Sequence, residues 1–184
     1  MFVLGEKARE VPEKEQVIAT LKLAIRLFRP GELAATPYFG VTYYFGETAY
    51  EHWAKDLTEL DYPADTKKPR PGSPEIYDLS TMIYQVQQIV RGRAAAAVFC
   101  EKAAGIMPAA AGHLHVAAKE YRDEVAIAEK AFGPFLSGKE DMWKSWLSDG
   151  TKRKSGAEDI IKMLGHERAA TAAIEKALSV IEGK

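Results

Sequence analysis

Cysteine is almost missing from this 184-residue chain: Cys100 stands alone, so no disulfide can form within it. A reducing, cytoplasmic setting is therefore the expectation. Net charge is scarce too. With 25 Lys and Arg against 26 Asp and Glu, the formal charge is −1, which excludes the one-signed field that draws nucleic acid or an anionic membrane. No apolar run reaches the length of a bilayer span, and 1–7 lacks the basic and apolar regions of a signal peptide. Phosphate loops are absent as well. Gly5, Gly31, Gly40 and Gly46 have neither dinucleotide-binding nor P-loop spacing, and no G-x-S-x-G nucleophile turn occurs. What is left is a charge-balanced chain of ordinary single-domain size, 1–184, able to bury roughly 70% of its unfolded surface.

Helical periodicity fills most of it. Phe2-Val3-Leu4 before Gly5 reads as a short strand-like arm within 1–10, too short to be stable unpaired. Pro12 opens a first helix with Glu13 and Glu15 near its positive end, carrying Val17, Leu21, Ile25 and Phe28 on one stripe and stopped by Pro30-Gly31. Residues 31–45 read as an aromatic loop with Tyr38, Phe39, Tyr43, Tyr44 and Phe45. A second helix starts near Gly46, with Tyr50, Trp53, Leu57 and Leu60 on one face. The proline- and glycine-rich segment 61–73 is an expected exposed loop.

Ser73-Pro74-Glu75 starts a long third helix that should end near Gly105. Pro108 opens a fourth, with Leu114, Ala117, Tyr121, Val125, Ala128 and Phe132 in line and Gly133-Pro134 as its end. Two S-x-x-E capping boxes, at Ser137–Glu140 and Ser155–Glu158, predict a short helix bearing Trp143, Trp146 and Leu147 and then a last long helix. The run Ala94–Ala97 is an expected close-packing patch. The fold expected is an all-α helical bundle of four to five long helices with a short N-terminal strand.

Two of the stripes are apolar almost throughout and each is broken by one charge. The third helix reads Ile76, Leu79, Ile83, Val86, Val90, Arg93, Ala97, Cys100, Ala104; the last reads Ile160, Leu164, Glu167, Thr171, Ile174, Leu178, Ile181. A charge on a buried stripe costs several kcal/mol unless paired, so Arg93 and Glu167 are expected to meet.

Sites of chemistry are few. None of the four histidines, His52, His113, His115 and His166, follows a Glu by three positions, and no two are four apart. Neither a bundle di-metal motif nor a zincin pair is present, so no metal and no cofactor is expected. Cys100 lies on a buried stripe and reads as a small hydrophobe rather than a nucleophile. Glu120 and Glu124 sit one turn apart and could do acid/base work if buried together. Lys119, Arg122 and Asp123 around them favour a solvated face instead. The aromatic residues 38–45 with Tyr50 and Trp53 form either a pocket wall or a contact surface.

Several segments share a pattern. Phe45-Gly46-Glu47-Thr48-Ala49-Tyr50-Glu51-His52-Trp53-Ala54-Lys55-Asp56-Leu57 resembles a G-L-x-A-Y-x-x-W-x-x-x-L segment. Arg91-Gly92-Arg93-Ala94-Ala95 to Phe99 resembles an R-x-A-A-x-F-L helix, and Ala117-Ala118-Lys119-Glu120-Tyr121 an A-A-x-x-Y turn. His166-Glu167-Arg168-Ala169 through Leu178 is similar to an E-x-x-A-I-x-x-L-E-x-A-L helix, and Phe2–Lys7 to a domain-ending strand. The patterns they resemble are those of a bacterial and archaeal family that joins a cysteine-peptidase-like N-terminal domain, similar to the N-terminal domain of butirosin biosynthesis protein H, to a helical C-terminal domain. The resemblance covers nearly the whole chain and implies the helical half alone. No residue here matches the family's catalytic cysteine and histidine.

The expected function is a non-catalytic accessory helical domain, not an enzyme, that packs on a cysteine-peptidase-like domain in cis or in trans, or forms a homodimer. The alternative is a small-molecule-binding bundle with Tyr44, Tyr50, Trp53, Arg93 and Glu167 lining the pocket.

Overall fold

The computed structural model describes residues 11–29, 35–38, 41–59 and 80–183, with side chains from 11–29, 44–59 and 82–183. The expected strand at Phe2–Leu4, the loop 61–73, the Ser73 cap, Leu60, Ile76, Leu79 and the Pro30-Gly31 stop lie outside these residues.

The described chain is a helical bundle. Its elements are α1 (Glu13–Phe28), β1 (Ala35–Tyr38), β2 (Val41–Tyr44), α2 (Gly46–Glu59), α3 (Ser80–Ile106), α4 (Ala111–Leu136), α5 (Glu140–Ser148) and α6 (Gly150–Glu182), with a single 3₁₀ turn at Pro108–Ala110. No described helix is long and apolar enough to cross a membrane. Within 31–45, which reads as loop, the described residues Ala35–Tyr38 and Val41–Tyr44 instead pair as two antiparallel strands, Ala35 facing Tyr44 and Tyr38 facing Val41. The segment Val41-Thr42-Tyr43-Tyr44 is β-branched and aromatic, a composition that fits a pleated strand, and periodicity over so few residues cannot reveal it.

The helices α3, α4 and α6 form the central trio, with α2 against α6 and α1 across α6, α2 and α3. Helix α2 begins on Gly46 at φ +55, and a Cβ there would collide with the Phe28 carbonyl that ends α1. Only glycine meets both demands.

Three helix boundaries depart from expectation. Helix α6 starts at Gly150, five residues before Ser155, because Asp149 caps it: Asp149 Oδ1 accepts from the N–H groups of Thr151 (2.9 Å) and Lys152 (3.2 Å). The Ser155 box is thus helix interior. At α5 the Ser137 hydroxyl accepts from Lys139 N–H at 3.2 Å, not from Glu140, and Lys139 occupies the cap position. Helix α4 continues through Gly133-Pro134 to Leu136. It absorbs the proline by a kink at Phe132 (φ −114, ψ 19), which relieves the clash of the ring with the preceding turn.

The core divides in two. One cluster lies where α1, α3, α4 and the C-terminal half of α6 meet, and it is built largely of alanine: Ala97, Ala103, Ala104, Ala110, Ala117, Ala118, Ala170, Ala173 and Ala177, with Leu21, Leu114 and Ile174. The other is aromatic: Phe28, Tyr50, Phe132, Phe135, Trp143 and Trp146 pack with Leu57, Ile160, Met163 and Leu164. Phe132 and Phe135 each meet Trp146, at ring-centre distances of 5.5 and 5.2 Å. Gly156 makes room for that indole, since a Cβ would approach its ring carbons to 2.6 Å. Of the run Ala94–Ala97, only Ala97 is buried; Ala94 and Ala95 face solvent.

Candidate functional site

Between the two apolar cores lies one polar layer, and each helix of the central trio supplies it once. On α3 the sequence passes from Val86 in the aromatic core through Arg93 to Ala97 in the alanine core. On α4 it passes from Tyr121 through Glu124 to Ala128, and on α6 from Leu164 through Glu167 to Ala170. Helix α2 adds Tyr50. Glu124 is fully buried, and Glu167 is 4% exposed.

Arg93 and Glu167 do meet. Arg93 Nε lies 2.6 Å from Glu167 Oε2 and 3.6 Å from Glu124 Oε2. The N–H is not aimed along the short approach, so the contact is ionic rather than a well-formed hydrogen bond. The Tyr50 hydroxyl donates to Glu124 Oε1 at 2.5 Å and accepts from Arg93 Nη2 at 3.3 Å. The guanidinium also stands 5.9 Å from the centre of the Tyr121 ring.

Two carboxylates on one arginine leave an excess negative charge in a dry interior, which burial strongly disfavours. Burial first, and the Glu167 carboxylate second, push the Glu124 carboxyl up to about 9. Glu124 is therefore protonated at neutral pH. That proton resolves a second difficulty: Glu124 Oε2 and Glu167 Oε2 are both buried without a hydrogen-bond partner when both are acceptors. A hydrogen on Glu124 Oε2 makes one of them a donor to the other, and the layer becomes neutral, with Glu167 balancing Arg93. Burial also raises the Tyr50 phenol well above its ordinary range, with Glu124 and Glu167 adding to it against Arg93. For Arg93 burial opposes the charge, but Tyr50, Glu167 and Glu124 outweigh it and hold the pKa above its usual value.

Of the residues assigned to a pocket, Tyr50, Arg93 and Glu167 are brought together in this layer. Trp53 packs on Phe132 in the aromatic core, ring centres 5.1 Å apart, with its indole N–H buried and unbonded. Tyr44 is 37% exposed and stacks on His52 at 3.5 Å.

Glu124 is the residue that sequence reasoning misplaced. From Tyr121 a step of four reaches Val125 and a step of three reaches Glu124. The apolar choice was Val125, yet Val125 is half-buried and Glu124 fully buried. The signal that could have found it is the neighbour pair: Arg93 and Glu167 occupy the same level of their stripes. Glu120 and Glu124 do not form a dyad. Glu124 turns into the layer, whereas Glu120 Oε2 lies 2.7 Å from His166 Nδ1, nearer the surface.

Cys100 is buried in the alanine core, and burial, with Glu101 nearby, pushes its thiol up to about 12. Such a thiol is not a nucleophile at neutral pH. A set of potential metal donors does exist among the described residues: Glu120, Asp123 and His166 each offer one donor atom, all within 4.8 Å of one another. Spacing rules overlook it because the ligands come from two helices.

A scan of protein-family models, a search of curated proteins and a search of solved structures each returned no match to this chain.

Proposed function

We propose that this chain is a non-catalytic accessory helical domain, acting in the cytoplasm by packing on a cysteine-peptidase-like domain or on a second copy of itself. The observation that supports it most is the closed polar layer. Its buried acids, arginine and tyrosine answer one another between two packed cores, so the groups best suited to chemistry are engaged in holding four helices in register. The high thiol pKa of Cys100 points the same way. Tyr44 and Phe45, 37% and 41% exposed, form an aromatic surface at the β2 end of α2 and are our candidates for the contact.

Sedimentation equilibrium of the chain alone, and mixed with a cysteine-peptidase-like domain of the family its motifs resemble, tests the reading. A dimer or a stoichiometric complex that Tyr44→Ser with Phe45→Ser dissolves is the expected result. A monomer that binds no such domain at micromolar concentration contradicts it.

A further inference from the structure

We propose that Glu120, Asp123 and His166 form a binding site for a divalent first-row transition ion, Zn²⁺ being the natural probe, that clamps α4 to α6. Glu120 and Asp123 stand three positions apart on α4, close to one turn, so their side chains reach the same patch. Helix α6 brings His166 opposite. The three donor atoms lie within 4.8 Å of one another, and His166 Nδ1 is already 2.7 Å from Glu120 Oε2. To share one ion at ligand distances of about 2.0–2.2 Å the side chains would draw together around it.

The surroundings favour an ion more than an ordinary surface cluster does. The His166 and Glu120 side chains are 29% and 20% exposed, so both are partly withdrawn from water yet open to an entering ion. Both helices are held here by the polar layer: Glu120 precedes Tyr121, whose ring faces Arg93, Asp123 precedes Glu124, and His166 precedes Glu167. The donor set decides the class. An imidazole nitrogen with two carboxylate oxygens suits Zn²⁺ and its neighbours and gives no advantage to Mg²⁺ or Ca²⁺, which prefer oxygen alone. Two carboxylates and a neutral imidazole also match a divalent charge.

One competitor is present. Lys119 Nζ lies 2.5 Å from Asp123 Oδ2, but the lysine side chain is 67% exposed and can swing into water, and such exposed pairs are worth little. An ion would therefore displace Lys119 from Asp123 and the Glu120 contact from His166. Removing Lys119 should therefore tighten the site, and loss of binding with His166 is what separates it from a chance encounter with surface acids.

The test is calorimetric titration of the full chain with ZnCl₂, with Co²⁺ absorption as a second readout of the ligand field. To leave one imidazole, His52, His113 and His115 are replaced by Gln. The expected result is one saturable Zn²⁺ site in that single-histidine chain, unaffected by excess Mg²⁺. His166→Gln should weaken it at least about tenfold, Asp123→Asn should weaken it too, and Lys119→Ala should strengthen it a few-fold. All six substituted positions are partly or fully exposed, and circular dichroism checks that each variant folds. Binding that survives His166→Gln, or no saturable binding in the single-histidine chain, overturns the proposal.

Discussion

The two apolar cores of this protein are filled by opposite means. At one end eight alanines on α3, α4 and α6, with Ala110 of the 3₁₀ turn, let α4 lie close against both α3 and α6, and burial there comes from backbone proximity and many small contacts. At the other end a few large rings fill the volume, Phe132, Phe135 and Trp146 in edge and tilted contact, with Gly156 opened to admit the indole. A close-packed seam has no slack for added atoms, whereas an aromatic cluster has much to lose by deletion. Sliding one helix past another would bring rings against alanines, and the charged layer between the cores makes that slide costlier still. The three central helices are thus held in register twice, by size and by charge.

The largest effect should come from the layer itself. Arg93→Met leaves Glu167 with no counter-charge and should destabilise the fold by about 3–5 kcal/mol, read by urea unfolding. Adding Glu167→Leu should restore most of that loss; a double variant no better than the single would show that the two are not partners. Next comes deletion in the aromatic core. Phe132→Ala should cost about 3–5 kcal/mol, because Trp53, Phe135 and Trp146 all lose a face. The reciprocal change belongs to the other core: Ala117→Leu, at a fully buried site, should cost roughly 1–3 kcal/mol through overpacking. If Ala117→Leu is neutral, the alanine seam is looser than described and the contrast between the cores fails. Smallest is the cap. Asp149→Ala removes the acceptor for two N–H groups at the start of α6 and should cost about 1 kcal/mol, with Asp149→Asn retaining most of it.

Much of this was legible in the residues. The stripes of α3 and α6 place Arg93 and Glu167 level with each other, and the rule that buried charges pair brings them together without any coordinates. Helical periodicity likewise places Tyr121 and Phe132 inside. What periodicity cannot choose is between a step of three and a step of four, and at Tyr121 the apolar preference selects Val125 over Glu124. Burying a second acid becomes intelligible only when α2, α3 and α6 are seen to converge on it. The start of α6 was hidden for a different reason: Asp149 and Ser155 are both competent caps, and the docking of α5 by Trp143, Trp146 and Leu147, which sets where the chain turns into α6, is a tertiary matter. Arg153 shows the same limit, donating to the carbonyls of Leu57 (3.2 Å) and Leu147 (2.5 Å) at the ends of two other helices. The Glu120–Asp123–His166 cluster is likewise written across two helices, where no spacing rule reaches.

A single retained proton on Glu124 closes the polar layer, and the pH dependence of stability reads that proton out. The folded chain holds that proton up to about 9, against an ordinary 4.5 for the unfolded chain. The raised value means that its stabilisation is complete below pH 4.5, falls as pH rises through the window, and is gone above 9. Glu124→Gln keeps a neutral side chain of the same shape and removes the titration, while every other group titrates in both proteins. Unfolding free energies of the two, measured across this window, should diverge steadily, with the wild type losing stability relative to Glu124→Gln as pH rises. A constant difference between the two profiles would mean that Glu124 is ionised throughout, and the account of the layer would be wrong.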